Sequence, residues 1–269
     1  MIVDGKKIAG EIISKLDRKI KKLGRTPNLF VVLVGQNYVT SRYVSLKQKT
    51  AKKIGINVEI ARFKESVTTE KLIQAIKVAA DTADGIIVQL PLPSHIDKQA
   101  VLNTVPIELD VDVLSKASNE KFKKGTHTIL PPVVAAIIEI LRQGNVNVNG
   151  KRAVVVGKGV LVGRPVAVWL TNQGSHVISL DRRSENFVEE IKKADIIVTG
   201  AGVPNLIKPD MIKEGVVLLD AATSELEGRL VGDTSSACSA KASLYSPVPG
   251  GIGPITIATL LNNLVLLSK

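Results

Sequence analysis

Two hydrophobic rhythms take turns along the first part of the chain. Over residues 6 to 23, Ile8, Ile12, Ile13, Leu16, Ile20 and Leu23 recur at helical spacing, and Gly24 stops the run. Leu29 to Val34 is then continuously apolar up to Gly35, which suits a strand buried on both faces. Ser41 to Ile54, closed by Gly55, predicts a second helix, and the loose alternation of Asn57 to Phe63 predicts a strand. Thr68-Thr-Glu-Lys71 has the form of a capping-box start for a third helix running through Ala80. Gly85 to Val88 is another buried strand, and it leads straight into Gln89-Leu-Pro-Leu-Pro93. This β-α-β-α-β alternation predicts a parallel α/β domain of about 120 residues.

Ser115 to His127 is polar and lysine-rich, and predicts an irregular crossover between two domains. Beyond it, Pro131 and Pro132 open a helix containing Val133, Ala136, Ile137, Ile140 and Leu141. Strands are expected from Ala153, at His176 to Leu180, at Ile196 to Thr199 and at Val216 to Leu219. Helices are expected at Gly163 to Asn172 and at Glu185 to Lys193. Ile255 to Leu267 is apolar around most of its circumference, so it predicts a buried helix. The expected fold class is therefore α/β, with two parallel-sheet domains. The first covers residues 1–120 and the second, a Rossmann-type dinucleotide domain, residues 121–253, while residues 254–269 pack back on the first.

The dinucleotide expectation rests on Arg152 to Pro165. A buried strand, Ala153 to Val156, runs into Gly157-Lys158-Gly159, where the backbone can turn tightly and approach a ligand. Val162 holds the position where a third glycine is usual, and Gly163 follows one residue late. Pro165 fits the first turn of the next helix, whose free N–H groups and dipole would favour an anion such as a pyrophosphate. Gly144 to Arg152 has some P-loop character but lacks the required spacing and the final Ser or Thr.

Composition narrows the field. The 269 residues favour two domains, and 45% hydrophobic with 23% charged residues is ordinary for a globular protein. The formal net charge of +11 would suit nucleic acid, but aromatics are only 3% and the lysines are spread along many helices. A small polyanionic ligand or surface solvation accounts for the charge instead. Cys238 is the sole cysteine, Met1 to Ala9 has no apolar leader core, and no apolar run approaches the roughly 18 residues of a membrane helix. The cytoplasm is the expected compartment. His95, His127 and His176 have no metal-ligand spacing, so no metal site is expected.

Three further patterns lie at places where chemistry could sit. Gln89 ends a strand before two prolines, Tyr43 and Lys47 share one helix face, and Asp110-Val-Asp112 falls in a loop. Taken singly, the first reads as well as a rigid turn, and the other two read more readily as a solvated lysine and as solvated or capping acids. Together with the glycine turn they resemble one family, the bifunctional methylenetetrahydrofolate dehydrogenase/methenyltetrahydrofolate cyclohydrolases. The shared marks are Tyr43-Val-Ser-Leu-Lys47-Gln-Lys49, Gln89 to Pro93, Asp110-Val-Asp112, Val162-Gly-Arg-Pro165 and Pro247-Val-Pro-Gly-Gly-Ile-Gly-Pro-Ile-Thr256. They keep the family's order and spacing over almost the whole chain.

The resemblance implies a folate site in a cleft between the domains, a homodimer, and partners limited to tetrahydrofolate derivatives, polyglutamylated forms included. It implies that Lys47 is the central catalytic group, Gln89 its hydrogen-bond partner, Tyr43 a stacking surface for the aminobenzoyl ring and Asp112 a grip on the pterin. Pro249, Gly250 and Gly251 would admit backbone to folate and nicotinamide. Gly157, Lys158, Gly159, Val162, Gly163, Arg164, Pro165, Arg182, Arg183, Ser184 and Gly200 would line the cofactor. Asp181 alone would favour NAD, whereas Arg182 and Arg183 suit a 2′-phosphate and lead to NADP, with NAD as the alternative. The chain departs from the family at Val113, at Thr128-Ile-Leu-Pro131, at Gly159 and at Ala221-Ala222-Thr223. The remaining alternatives are a single-activity descendant and a dehydrogenase of shikimate-dehydrogenase type.

Overall fold

The computed structural model describes residues 1–35, 38–226 and 228–268, residues 38 and 39 in backbone only. Lys269, the last residue of the segment expected to pack back, lies outside the described residues. The chain opens with helix α1 (Gly5–Leu23), strand β1 (Asn28–Val34), α2 (Tyr38–Lys52), β2 (Asn57–Phe63), α3 (Thr69–Ala79) and β3 (Gly85–Val88). Thr68 caps α3, its hydroxyl oxygen accepting from the Lys71 N–H at 3.3 Å. The three strands form a parallel sheet in the order β2-β1-β3, with Val31 flanked by Ile60 and Ile87.

Because side chains alternate along a strand, β1 feeds two cores. Leu29, Val31 and Leu33 pack with Leu16 and Ile20 of α1 and Val44 and Ala51 of α2. Phe30, Val32 and Val34 face the other way, onto Leu72 and Ile76 of α3. Two short helices follow, α4 (Lys98–Thr104) and α5 (Lys116–Lys123). The second corrects the expectation that residues 115–127 are irregular. Ser115 caps α5 by accepting from the Ser118 N–H, and Phe122 is its one large buried apolar side chain, too little to leave a periodic signal.

The chain continues with α6 (Pro132–Gln143), β4 (Arg152–Val156), α7 (Gly163–Asn172), β5 (His176–Leu180), α8 (Phe187–Lys193), β6 (Ile196–Thr199) and β7 (Val217–Asp220). An antiparallel pair, β8 (Ser224–Leu226) and β9 (Arg229–Val231), precedes β10 (Leu244–Ser246) and the final helix α9 (Ile252–Leu267). The larger sheet is parallel, in the order β10-β7-β6-β4-β5. Its strand order reverses between β4 and β6, and in such open sheets ligands bind beyond the carboxyl ends of the strands at the reversal.

The chain divides into two compact units, neither of them continuous in sequence. One holds residues 10–132 and 257–269, the other residues 1–9 and 133–256. These bounds differ from the expected 1–120 and 121–253, for reasons visible in the backbone. Val3 N–H donates to the Tyr245 carbonyl at 2.8 Å and Tyr245 N–H to Met1 at 2.9 Å, which joins the first residues to β10. At the other end, Asn263 donates to the carbonyls of Val111 (2.9 Å) and Leu130 (2.8 Å), and Thr259 to that of Pro132 (2.8 Å). Ile257, Leu260, Leu261 and Leu264 complete the core built on β1 and α1.

Candidate active site

A buried lysine stands on α2 of the first unit. Tyr43 and Lys47 stand one turn apart on α2, and Tyr43 packs against the core that includes Val44. Lys47 is only 9% exposed, and its Nζ donates to Gln89 Oε1 at 3.1 Å. Gln89 follows the last residue of β3. Its backbone N–H donates to the Val32 carbonyl at 2.9 Å, continuing the sheet, and its Nε2 donates to the Leu90 carbonyl at 2.9 Å. That second bond turns Oε1 toward the lysine. The Leu90–Pro91 and Val248–Pro249 peptides are cis.

Burial pushes the Lys47 ammonium below the ordinary lysine range, opposed by the nearby Asp112 carboxylate. Asp112 moves the other way. Burial raises it, the Lys47 charge lowers it, and Asp110 raises it further. Asp110 itself is a structural acid, its carboxylate accepting from Leu114 N–H at 3.1 Å and Ser115 N–H at 2.8 Å. The loop so pinned contains Val113 at φ +58°, a left-handed conformation that a β-branched residue seldom adopts. The result is a desolvated amine and a desolvated carboxyl whose charges favour each other, able to hold or move a proton.

The second unit builds an anion site from backbone. β4 ends at Gly157, whose φ of 103° is open to glycine but not to other residues. A Cβ there would lie 2.6 Å from the carbonyl oxygen of Gly200, just past the end of β6, so the two glycines meet at the reversal of strand order. A Cβ on Gly163 would overlap the Gly157 carbonyl, so Gly163, one residue late, performs the close-packing role of the third glycine. Val162 precedes α7 without a side-chain cap, and Pro165 sits in its first turn. Arg164 N–H donates to the Gly159 carbonyl at 3.0 Å and Pro165 has no N–H, which leaves the Gly163 amide as the first-turn donor for an anion, and the space where a Gly159 side chain would point is open.

Cations surround this turn. Lys158 Nζ pairs with Asp181 Oδ2 at 2.9 Å, and Arg164 Nε donates to the Lys158 carbonyl at 3.1 Å. Asp181 Oδ1 accepts from the Arg183 N–H at 2.9 Å, and Ser184 Oγ accepts from the Asp181 N–H at 2.9 Å. The Lys158 hydrogen bond, aided by the Arg183 amide, holds the Asp181 carboxyl below its ordinary range. Both carboxylate oxygens are thus engaged, while the Arg182 and Arg183 side chains are exposed beside them. In the segment before α9, Gly250 has φ 101° and its carbonyl accepts from Gly5 N–H at 2.8 Å, while a Cβ on Gly251 would overlap Ser246 Oγ.

Two family models divide the chain between them. "Tetrahydrofolate dehydrogenase/cyclohydrolase, catalytic domain" matches residues 3–112, and the NAD(P)-binding domain of the same family matches residues 131–269. The chain belongs to this family. It is 40% identical to the bifunctional protein FolD of Bacillus pumilus over 275 residues, covering all of this chain and 97% of that protein. The Campylobacter jejuni FolD methylenetetrahydrofolate dehydrogenase/cyclohydrolase superposes with a TM-score of 0.95 at 35% identity, over 100% of this chain and 98% of that one. The Trypanosoma brucei dehydrogenase-cyclohydrolase, complexed with NADP cofactor and inhibitor, gives 0.96 at 32% identity, over 100% and 97%. Membership over both units sets aside the shikimate-dehydrogenase alternative.

Of the residues picked out from sequence, Tyr43, Lys47, Gln89 and Asp112 fall in one unit. The glycine turn, Arg182, Arg183, Ser184, Gly200, Pro249, Gly250 and Gly251 fall in the other. Sequence reasoning missed Asp220 and Asp233, two buried acids at the carboxyl ends of β7 and β9. Neither belongs to a recognisable spacing, and a weak signal existed only for Asp220, an acid directly after an apolar run. It missed His127 as well, whose Nε2 is buried without a partner among the described residues.

Proposed function

We propose that this chain oxidises 5,10-methylenetetrahydrofolate to the methenyl form with NADP and hydrolyses that product to 10-formyltetrahydrofolate, with Lys47 as the central catalytic group and the proton-handling group of the hydrolytic step. The observation that carries this is the buried Lys47 Nζ held 3.1 Å from Gln89 Oε1 in the family's catalytic unit. Bound NADP supplies the hydride acceptor for the first step. In the second, water adds to the electrophilic methenyl carbon and loses a proton, the ring C–N bond opens as its nitrogen takes a proton back, and the hydroxyl of the adduct gives its own proton to water as the formyl carbonyl forms. A lysine whose pKa is lowered by burial can take that proton and give it back. Gln89 aims the amine, Tyr43 offers a ring for stacking, and Asp112 presents a carboxyl to the nitrogens of the pterin edge.

For the cofactor, the engaged state of Asp181 disfavours its use on a ribose hydroxyl, while Arg182, Arg183 and Lys158 suit a 2′-phosphate. We further infer a homodimer. β2 is a sheet edge, and beside it lies a groove of about 410 Å³ lined by Phe63, Ala61 and Val78, an apolar border that a second copy would cover. The single, buried Cys238 suits the reducing cytoplasm, and among the described residues no helix is long and apolar enough to cross a membrane.

The test is a two-stage assay. Purified protein is given 5,10-methylenetetrahydrofolate with NADP or NAD, and decay of the methenyl product and of added 5,10-methenyltetrahydrofolate is then followed. Reduction with NADP and subsequent decay is the expected result. Reduction with NAD alone would reverse the cofactor assignment, hydrolysis alone would indicate a single-activity descendant, and silence in both stages would refute the function.

A further inference from the structure

Asp233 is fully buried and satisfied by three donors from one stretch of chain. Its Oδ2 accepts from the Thr199 hydroxyl and, at 2.7 Å, from the Ala201 N–H, while its Oδ1 accepts from the Val203 N–H at 2.7 Å. Those donors bracket Gly200, the residue against which Gly157 is pressed. The next residue extends the brace to β7. Thr234 donates through its N–H and its hydroxyl to Asp220 Oδ2, each at 2.8 Å, and Asp220 Oδ1 accepts from the Ala222 N–H at 3.1 Å. The Thr234 hydroxyl also meets the Tyr245 hydroxyl at 3.1 Å. One short segment, residues 233–234, thus ties down the loops that leave β6 and β7 at the end of the sheet where the strand order reverses.

We propose that Asp233 is a positioning residue for the dinucleotide. It fixes residues 199–203, and with them the surface on which the Gly157 turn rests, so that the turn presents its amides at the spacing a pyrophosphate requires. Burying a carboxylate away from water costs several kcal/mol unless donors surround it. A neutral amide cannot replace it, because an Asn side chain has one acceptor oxygen for donors that approach both carboxylate oxygens. The inference rests on the reading that this unit binds NADP. It adds that the grip on the cofactor is set by a carboxylate outside the glycine turn.

The experiment measures two quantities on Asp233→Asn: the NADP dissociation constant by calorimetry, and the rate of methenyltetrahydrofolate hydrolysis without cofactor. The second depends on Lys47 in the other unit and reports that the chain is folded. Losing a buried charge-assisted hydrogen bond is expected to weaken NADP binding roughly tenfold or more, with hydrolysis within about twofold of wild type. Unchanged NADP binding in a variant that still hydrolyses would overturn the proposal. If Asp233→Asn loses both, the milder pair Thr199→Val and Thr199→Ser decides. Weakened NADP binding in the valine variant, restored in the serine variant with hydrolysis intact, supports the positioning role, and equal binding in the two rejects it. A wild-type chain that hydrolyses but binds no NADP would instead overturn the cofactor reading on which the proposal stands.

Discussion

The two units bury charge in opposite ways. Among the described residues Lys47 has one hydrogen-bond partner, Gln89, for the three protons of an ammonium. Asp233 has three donors on a carboxylate, and Asp110 two backbone amides. A buried ion whose hydrogen bonds are filled is inert scaffolding, since any change of protonation would break what surrounds it. A buried ion left short of partners is easily neutralised and is free to bond something else. The same cost of desolvation therefore makes a reactive group in one place and a brace in another, and the number of partners tells which.

Removing the under-partnered amine is the strongest test of that contrast. Lys47→Met keeps the length of the side chain and deletes the proton carrier, so hydrolysis of the methenyl form should fall by about 10²- to 10⁴-fold. NADP affinity should stay within about twofold, read by calorimetry. A variant that keeps its hydrolysis rate would show that the buried amine is structural after all.

Asp220 offers the next largest effect, because it departs from the rule. It is filled with donors, yet burial, with the Asp233 charge as a lesser cause, raises its pKa from 3.8 to about 6. A carboxyl raised in the fold binds its proton more tightly there than in the unfolded chain. Its contribution to stability is present below pH 3.8 and is lost as pH rises to about 6, a swing of about 3 kcal/mol. Asp233, Tyr245 and Cys238 are the titratable neighbours, and the latter two are themselves raised, mainly by burial. Thermal melts of wild type and Asp220→Asn at pH 4 and pH 7 should therefore show the variant gaining relative stability at the higher pH. Parallel shifts would mean that Asp220 does not titrate in this range.

A smaller effect is expected at the rim of the anion site, where charges are exposed. Replacing Arg182 and Arg183 together by alanine should weaken NADP roughly tenfold, about 1.4 kcal/mol, with NAD changed little. Equal losses for both cofactors would place the arginines away from the 2′-phosphate. The smallest effect concerns Val113. Glycine would relieve about 1–2 kcal/mol of left-handed strain, but it would forfeit about 1.5–3 kcal/mol from a side chain that is 1% exposed and would loosen the unfolded chain. Val113→Gly should thus be less stable by about 1 kcal/mol in urea. A more stable variant would show that the loop held by Asp110 carries strain that burial does not repay.

Much of this was legible in the sequence where one residue does one job. The apolar runs of β1, β3, β4 and β6 announced buried strands, and Gly24 marked the end of α1. That Tyr43 and Lys47 share a helix face and that Gln89 ends a strand was readable because these are local properties, while their roles came only from the family resemblance. The rest depended on distant partners. α5 has one large buried apolar side chain, and β10 is three residues long with a neighbour, Met1 to Val3, at the other end of the chain. Asp233 looked like any loop acid, because the amides it holds lie 30 and 32 residues away. The late Gly163 could be counted but not interpreted, since its role is defined by the Gly157 carbonyl.

The divided make-up of the Lys47 unit also bears on how the chain is made. Its sheet and first five helices are encoded by residue 132, yet Ile257, Leu260, Leu261 and Leu264 belong to the same core. During synthesis at about 5–20 residues per second, that core stays open while the whole dinucleotide unit is being translated. The unit whose sheet is made first is thus the last one closed. A nascent chain halted near residue 250 would hold a finished strand order and an unfilled apolar face, a natural substrate for a chaperone.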